Sequence, residues 1–302
     1  MTAEPTGLAV LDKPAGMTSH DVVAVVRRVL GERRVGHAGT LDPPATGVLL
    51  VGVGRATRLL RFLQGTDKAY EGTFELGATT NTLDATGEVT ATFDMARVED
   101  RDVAAAAAAL TGALEQRPPM VSAVHVGGRR LYELAREGVE VDRTARPVHV
   151  AAFEVAPLGG GRWGFEVVCS TGTYVRSLVD DLGAALGGGA HLVTLRRTRV
   201  GRFGLERATT LERFAADREA AAASLLAPLA MVEHLGVVRV DAAGAGDLVH
   251  GRRVATGERP ERAGDVAVCD EAGALVCVAA RDDDGVLRPE VVLPRGAPGA
   301  DG

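Results

Sequence analysis

Val35-Gly36-His37-Ala38-Gly39-Thr40-Leu41-Asp42-Pro43-Pro44-Ala45-Thr46-Gly47-Val48-Leu49-Leu50 holds one carboxylate, Asp42, in a turn rich in glycine and proline, directly ahead of an apolar run. Glycines let a backbone approach a ligand closely and take dihedrals that other residues avoid. Pro43 and Pro44 stiffen the chain just past the acid, and Pro43 biases Asp42 towards extended geometry. Residues 48–53 then read as a buried strand. On turn chemistry alone, an Asp before a Pro is an ordinary surface bend. A carboxylate held stiffly at the mouth of a buried strand is also well placed for chemistry, and the rest of the chain decides between the two.

Upstream, residues 7–11 predict a strand that runs into the turn Asp12-Lys13-Pro14-Ala15-Gly16. Thr18 or Ser19 caps a helix with Val22, Val25, Val26 and Val29 on one face and Gly31 at its end. Downstream, residues 55–63 predict a helix, and Lys68–Leu76 alternates as a half-buried strand does. An alanine-rich helix is expected over 97–114. A stretch at 121–126, the turn Gly127-Gly128 and a helix over 131–137 follow. Residues 147–155 and 163–169 read as paired strands, 173–186 as a helix, 192–200 as a strand, and 210–216 and 222–234 as short helices. From Val237 the texture changes to short strands at 237–240, 266–270, 274–280 and 287–293 around one helix at 242–250. That is the pattern of a small β-rich barrel appended to an α+β body.

The chain has 302 residues, room for a large domain and a small one, and its 46% hydrophobic and 25% charged composition is that of a globular protein. A formal net charge of −6 argues against a nucleic-acid binder, yet net charge averages over faces and binding depends on local clusters. All but two of the 34 cationic residues (Lys13 and Lys68) are arginine, several of them bunched, most densely at Arg196, Arg197, Arg199 and Arg202. Cys169, Cys269 and Cys277 form no CxxC pair and lie in strand-like surroundings, which predicts buried, reduced thiols and a cytoplasmic protein. The N-terminus has no basic-then-apolar layout of a signal peptide, and no apolar run is long enough to span a bilayer.

Several chemistries find no support. The seven histidines never fall at i, i+4 spacing or pair with a cysteine at zinc-site spacing, so no metal site is expected. No GxSxG elbow is present. Gly52-Val53-Gly54 follows a strand, but Thr57 stands where a dinucleotide fingerprint needs its third glycine.

The segment His37-Ala38-Gly39-Thr40-Leu41-Asp42-Pro43-Pro44-Ala45-Thr46-Gly47 resembles the catalytic signature of the TruB family, the bacterial tRNA pseudouridine-55 synthases. Other segments resemble that family in the same order: Leu11-Asp12-Lys13-Pro14-Ala15-Gly16-Met17-Thr18-Ser19, Lys68-Ala69-Tyr70, and the loop over 80–88 around Asp84. Arg117-Pro118-Pro119-Met120-Val121-Ser122-Ala123 and Leu131-Tyr132-Glu133-Leu134-Ala135-Arg136 resemble its central region. Ser170-Thr171-Gly172-Thr173-Tyr174-Val175-Arg176-Ser177-Leu178 and Gly189-Ala190-His191-Leu192 with Leu195-Arg196-Arg197 complete the set, over about residues 7–235. Val121 departs from a frequent Tyr, His125 from a common Lys, and Pro44 from a frequent Leu. These departures touch details of RNA contact and leave Asp42, Tyr70 and Arg176 intact.

The resemblance implies a role for each matching residue. Asp42 is the expected catalytic aspartate. Tyr70 stacks on the target base and serves in removal of the C5 proton, and Arg176 pairs with Asp42 and positions it. His37 helps hold the T-loop around the flipped uridine, Lys13 and Leu195 line the pocket, and Asp84 and Tyr174 are expected at the substrate. Pseudouridine formation breaks the N1–C1′ bond, turns the uracil, joins C5 to C1′ and releases the C5 proton. It exchanges no electrons or outside atoms, so no cofactor is expected. An ionised Asp serves such a reaction as nucleophile or as base on the ribose, and the residues leave both routes open. A neighbouring Arg keeps the carboxylate charged, an aromatic platform receives the unstacked base, and clustered arginines hold phosphates.

The expected architecture is therefore a pseudouridine synthase fold: α+β, a mixed, mainly antiparallel sheet flanked by helices over 1–232. A small PUA-like β-barrel at 237–296 grips the tRNA acceptor side, and 297–302 is a disordered tail. The expected partner is tRNA, with no membrane and no metal, and the protein is expected to be a monomer. Two alternatives are a tRNA-binding or folding chaperone on a synthase scaffold, and a synthase for another RNA site.

Overall fold

The computed structural model describes residues 4–120, 122, 141, 143–257 and 263–293, and the backbone alone at 125–126 and 129–130. In chain order the first elements are β1 (Gly7–Lys13), α1 (Ser19–Leu30), β2 (Val35–Ala38), β3 (Thr46–Val53), a 3-10 helix (Gly54–Leu63), β4 (Lys68–Leu76), β5 (Ala78–Thr80) and β6 (Val89–Thr92). Then come α2 (Asp100–Ala109), β7 (Gly112–Gln116), β8 (His125–Val126), β9 (Arg129–Arg130), β10 (Arg146–Gly159), β11 (Arg162–Cys169), α3 (Val175–Ala185), β12 (Ala190–Val200) and β13 (Phe203–Gly204). The chain continues with β14 (Thr209–Thr210), α4 (Leu211–Ala216), α5 (Arg218–Ala223), β15 (Val237–Arg239), α6 (Ala242–Val249), β16 (Val254–Ala255), β17 (Gly264–Cys269), β18 (Leu275–Arg281) and β19 (Val286–Val292). No helix among the described residues is long and apolar enough to cross a membrane. The chain divides into two compact units, one of residues 1–42, 49–64 and 207–302, the other of 43–48 and 65–206.

In the first unit, β2 folds back antiparallel on β3, with His37 opposite Val51, and β1 runs parallel to β14. Helix α1 turns Val22, Val23, Val26 and Leu30 inward, the spacing of one helical face, onto Leu11, Leu49, Val51 and Phe214. Thr18 starts this helix with a reciprocal cap: its Oγ1 accepts from the Asp21 N–H at 3.1 Å, and Asp21 Oδ2 accepts from the Thr18 N–H at 2.8 Å. Gly31 ends it at φ 65°. Replacing Thr18 by Ala is expected to cost about 1 kcal/mol, read from the urea midpoint, because the Asp21 N–H loses its side-chain acceptor and Asp21 Oδ2 loses the Thr18 hydroxyl.

The C-terminal stretch of this unit forms a separate five-stranded sheet, order β15-β17-β18-β19-β16, with its own core of Val240, Leu248, Val268, Cys277, Ala279 and Leu287. Arg58 donates to the Val292 carbonyl at 2.9 Å and Arg61 meets Glu290 at 2.9 Å, tying this sheet to the 3-10 helix. Cys169, Cys269 and Cys277 are all buried free thiols, as expected. Burial pushes the Cys169 thiol up to about 11; burial, with the neighbouring Cys269, pushes Cys277 up to about 12. None of the three should react with a thiol reagent in the native protein at mildly alkaline pH, and all three should react after unfolding.

In the second unit, β12 takes the first residues of β3 on one side, parallel, with Thr46 opposite Arg196 and Gly47 opposite Arg197. On its other side it pairs antiparallel with β4, and β11, β10 and β7 follow outward. Helix α3 packs on β12 and α2 on β10. The sheet is thus mixed and mainly antiparallel.

Four local expectations change. Residues 35–38, read as part of a turn, form β2. The helix expected over 97–114 spans only Asp100–Ala109, because Gly112 turns the chain at φ 92° and residues 112–116 take the sheet edge as β7. Residues 54–63 wind as a 3-10 helix, where i and i+3 align, so Ala56 and Leu59 share the buried side. The short helix expected at 222–234 is mostly 3-10 turns, Pro228–Met231 and Glu233–Leu235. The helix expected over 131–137, Val121 and the tail at 297–302 lie outside the described residues.

Candidate active site

In the first unit, the residue before Asp42 is held at both its backbone groups by one hydroxyl. That residue, Leu41, donates its N–H to Ser19 Oγ at 2.9 Å, and its carbonyl accepts from the same hydroxyl at 3.2 Å. Ser19 is buried in the first turn of α1, so the half-buried Asp42 sits one residue from a two-point clamp on a rigid helix. Lys13, at the end of β1, is wholly buried, and its Nζ donates to the carbonyls of Pro14 at 2.9 Å and Met17 at 2.7 Å. His37, on β2, meets the ring of His20 edge-on at 5.3 Å between centroids.

In the second unit, Tyr70 lies on β4, buried, directly opposite Arg197 on β12 and Val167 on β11. Leu195 is opposite Gly72, so Tyr70, Leu195 and Arg197 project from one face of the sheet. Lys68 lies on that face as well, and burial, with the Arg197 charge adding to it, holds its ammonium below the usual lysine range. The expectation that the cluster at 196–202 holds phosphates fails for Arg197. It is 1% exposed, and its Nε donates to the Val48 carbonyl at 2.7 Å, which makes it part of the joint between β3 and β12.

Arg176 is 4% exposed near the start of α3. Its Nη1 donates to the Thr82 carbonyl at 3.0 Å, and its Nε lies 3.9 Å from Asp84 Oδ2. Between these partners stands Leu83 at φ 62°, the one described non-glycine residue with positive φ, a conformation that costs an L-residue roughly 1–2 kcal/mol. The surroundings hold it there. Leu192 bonds the Leu83 carbonyl at 3.1 Å and the Ala85 N–H at 2.8 Å, while Asp84 Oδ1 accepts from the Thr82 hydroxyl at 2.8 Å and the Thr86 N–H at 3.0 Å. The described bonds of the Asp84 carboxylate are thus internal to the loop and to Arg176. Tyr174 caps α3 with its backbone, gripped by Gln116.

Ser19 and Gln116 act on this machinery without having stood out in the sequence. Ser19 reads there as a helix cap, and Gln116 only as the residue ahead of Arg117-Pro118-Pro119. The structure joins Arg176 to Asp84 and sets Tyr70 beside Leu195. Arg176 belongs to the second unit and Asp42 to the first.

A family model described as TruB family pseudouridylate synthase (N terminal domain) matches residues 27–175. The tRNA pseudouridylate synthase B C-terminal domain matches 176–236, and the C-terminal domain of pseudouridine synthase II TruB matches 236–293. The chain belongs to the TruB family of pseudouridylate synthases. This TruB-family synthase is 53% identical over 213 residues, 69% of its length, to tRNA pseudouridine synthase B of Mycobacterium sp. (strain KMS), covering 72% of that protein. It is 55% identical over 213 residues to the protein of the same name from Nocardia farcinica (strain IFM 10152), covering 69% of this chain and 70% of that one. Among solved structures, it resembles a chain of an H/ACA RNP bound to a substrate RNA containing 2'-deoxyuridine, with a TM-score of 0.75 and 26% identity over 97% of this chain and 86% of that chain. The synthase therefore has the pseudouridine synthase fold, and its last sheet is consistent with a PUA-like domain.

Proposed function

We propose that this synthase converts uridine 55 in the T-loop of tRNA to pseudouridine, with Asp42 as the catalytic carboxylate. The observation that carries this reading is the 53% identity over 213 residues to a protein named tRNA pseudouridine synthase B. The stiff turn carrying Asp42 supports it, because a catalytic group works only when held in place by a rigid scaffold.

On this reading the target uridine leaves its stack and rests against Tyr70, with Leu195 and Lys13 lining the pocket and His37 holding the opened T-loop. Arg176 faces Asp42 and positions it, and Asp84 and Tyr174 meet the substrate beside it. Asp42 attacks C1′ or takes a ribose proton as the N1–C1′ bond breaks. The uracil turns and C5 joins C1′ as Asp42 leaves C1′ or returns the ribose proton, and the C5 proton lost with the help of the Tyr70 phenol is matched by one gained at N1. Substrate and product are isomers, so the reaction calls for no cofactor. Residues 1–232 form the catalytic domain and residues 237–296 an RNA-gripping one. The enzyme acts as a monomer in the cytoplasm.

The test is to incubate the protein with an unmodified tRNA transcript, without added cofactor, and map pseudouridine at nucleotide resolution. Product at position 55 alone is expected. Product only in another RNA would replace the substrate, and tight tRNA binding with no product would favour a folding chaperone.

A further inference from the structure

The N-cap of helix α3 is Tyr174, whose own side chain makes no capping hydrogen bond. The cap comes from 58 residues upstream. The Tyr174 N–H donates to Gln116 Oε1 at 2.7 Å, and Gln116 Nε2 donates to the Tyr174 carbonyl at 3.0 Å. The side-chain amide thus pairs with both backbone groups of one residue, as a neighbouring strand does, and only a group with a donor and an acceptor two atoms apart can do this. Gln116 is 3% exposed and is the last residue of β7, where it pairs across the ladder with Arg146. Next to it, the Arg117 carbonyl accepts from Ser177 Oγ at 3.1 Å. The dipeptide Gln116-Arg117 therefore grips α3 at 174 and at 177, on either side of Arg176.

We infer that Gln116 is a positioning residue for Arg176: it fixes the first turn of α3 so that the guanidinium reaches the Thr82 carbonyl and Asp84. This rests on the reading of Arg176 as the partner of Asp42. A long side chain in a buried site transmits a small turn of its helix into a large displacement at its tip. Misplacement of a catalytic partner by about 1 Å is enough to cost on the order of a hundredfold in rate.

The test has two arms on the full chain. In protein labelled with 15N-arginine, the Arg176 Nε–H resonance is identified by its loss in Arg176→Lys, and its exchange with solvent is measured. Gln116→Leu, which keeps the bulk and removes both bonds, is expected to speed that exchange about tenfold or more. Gln116→Glu, which keeps the acceptor alone, should shift it the same way and serves if the leucine variant does not fold. In the second arm, single-turnover pseudouridine formation should fall about tenfold to a hundredfold in Gln116→Leu while tRNA affinity stays within about twofold. In an Arg176→Lys background the same substitution should cost less than about threefold more, because the two residues act as one unit. Unchanged Arg176 exchange, or fully additive losses in the double variant, would overturn the inference. A wild type that makes no pseudouridine would sink the functional reading instead, and the exchange arm would still judge Gln116.

Discussion

Asp42→Asn is expected to form no detectable pseudouridine on unmodified tRNA, a loss on the order of 10⁴-fold or more in the single-turnover rate. Asparagine matches the size of aspartate and keeps an acceptor oxygen, but it is neither a nucleophile nor a base at neutral pH. The clamp that places residue 42 involves the backbone of Leu41 and the hydroxyl of Ser19, which the substitution leaves alone. Stability and tRNA affinity should therefore stay close to those of the wild type, with affinity within about threefold. Activity within about tenfold of wild type would remove Asp42 from the chemistry on both of its proposed routes.

Gly47→Ala should be the most damaging small substitution to the fold. Gly47 stands at φ 103°, and a Cβ there would lie 2.1 Å from the Arg197 carbonyl oxygen and 2.8 Å from its nitrogen. Both are backbone atoms of the partner strand, and β3 pairs in parallel with β12 through residues 46–47 against 196–197. Backbone strain and overlap together should cost more than about 3 kcal/mol in urea unfolding. Activity should fall with it, since the turn carrying Asp42 ends at this joint. A loss below about 1 kcal/mol would mean that the two strands move apart without penalty.

Much of the fold is legible in local pattern. The alternation over Lys68–Leu76 marks β4 to the residue, and Thr18 and Gly31 mark both ends of α1, because periods and caps are written in adjacent residues. β2 is harder, since Val-Gly-His-Ala carries no alternation and becomes a strand only through its pairing with β3. The alanine run of α2 hides β7 in the same way, by suggesting that strong local helix propensity continues past Gly112. In the site, Asp42, Tyr70 and Arg176 stand out by motif, but their surroundings do not. The burial of Arg197 depends on a carbonyl 149 residues away, and the cap of α3 on an amide 58 residues away. Nothing in the immediate neighbours of either residue encodes such partners.

The ends of the first unit meet late. Leu8 and Leu226 exchange backbone hydrogen bonds at 2.9 Å in both directions, and β1 lies parallel to β14 at Leu11 and Thr209. On a ribosome adding roughly 5–20 residues per second, β1 emerges and then waits on the order of 10–40 s for these partners. For that interval the edge of β1 that later meets β14 and Leu226 stays open to any other strand, while residues 65–206 can already fold. A nascent chain stalled near residue 206 would therefore be a better substrate for chaperones and proteases than one stalled past residue 235, and the N-terminal strand is where they would take hold.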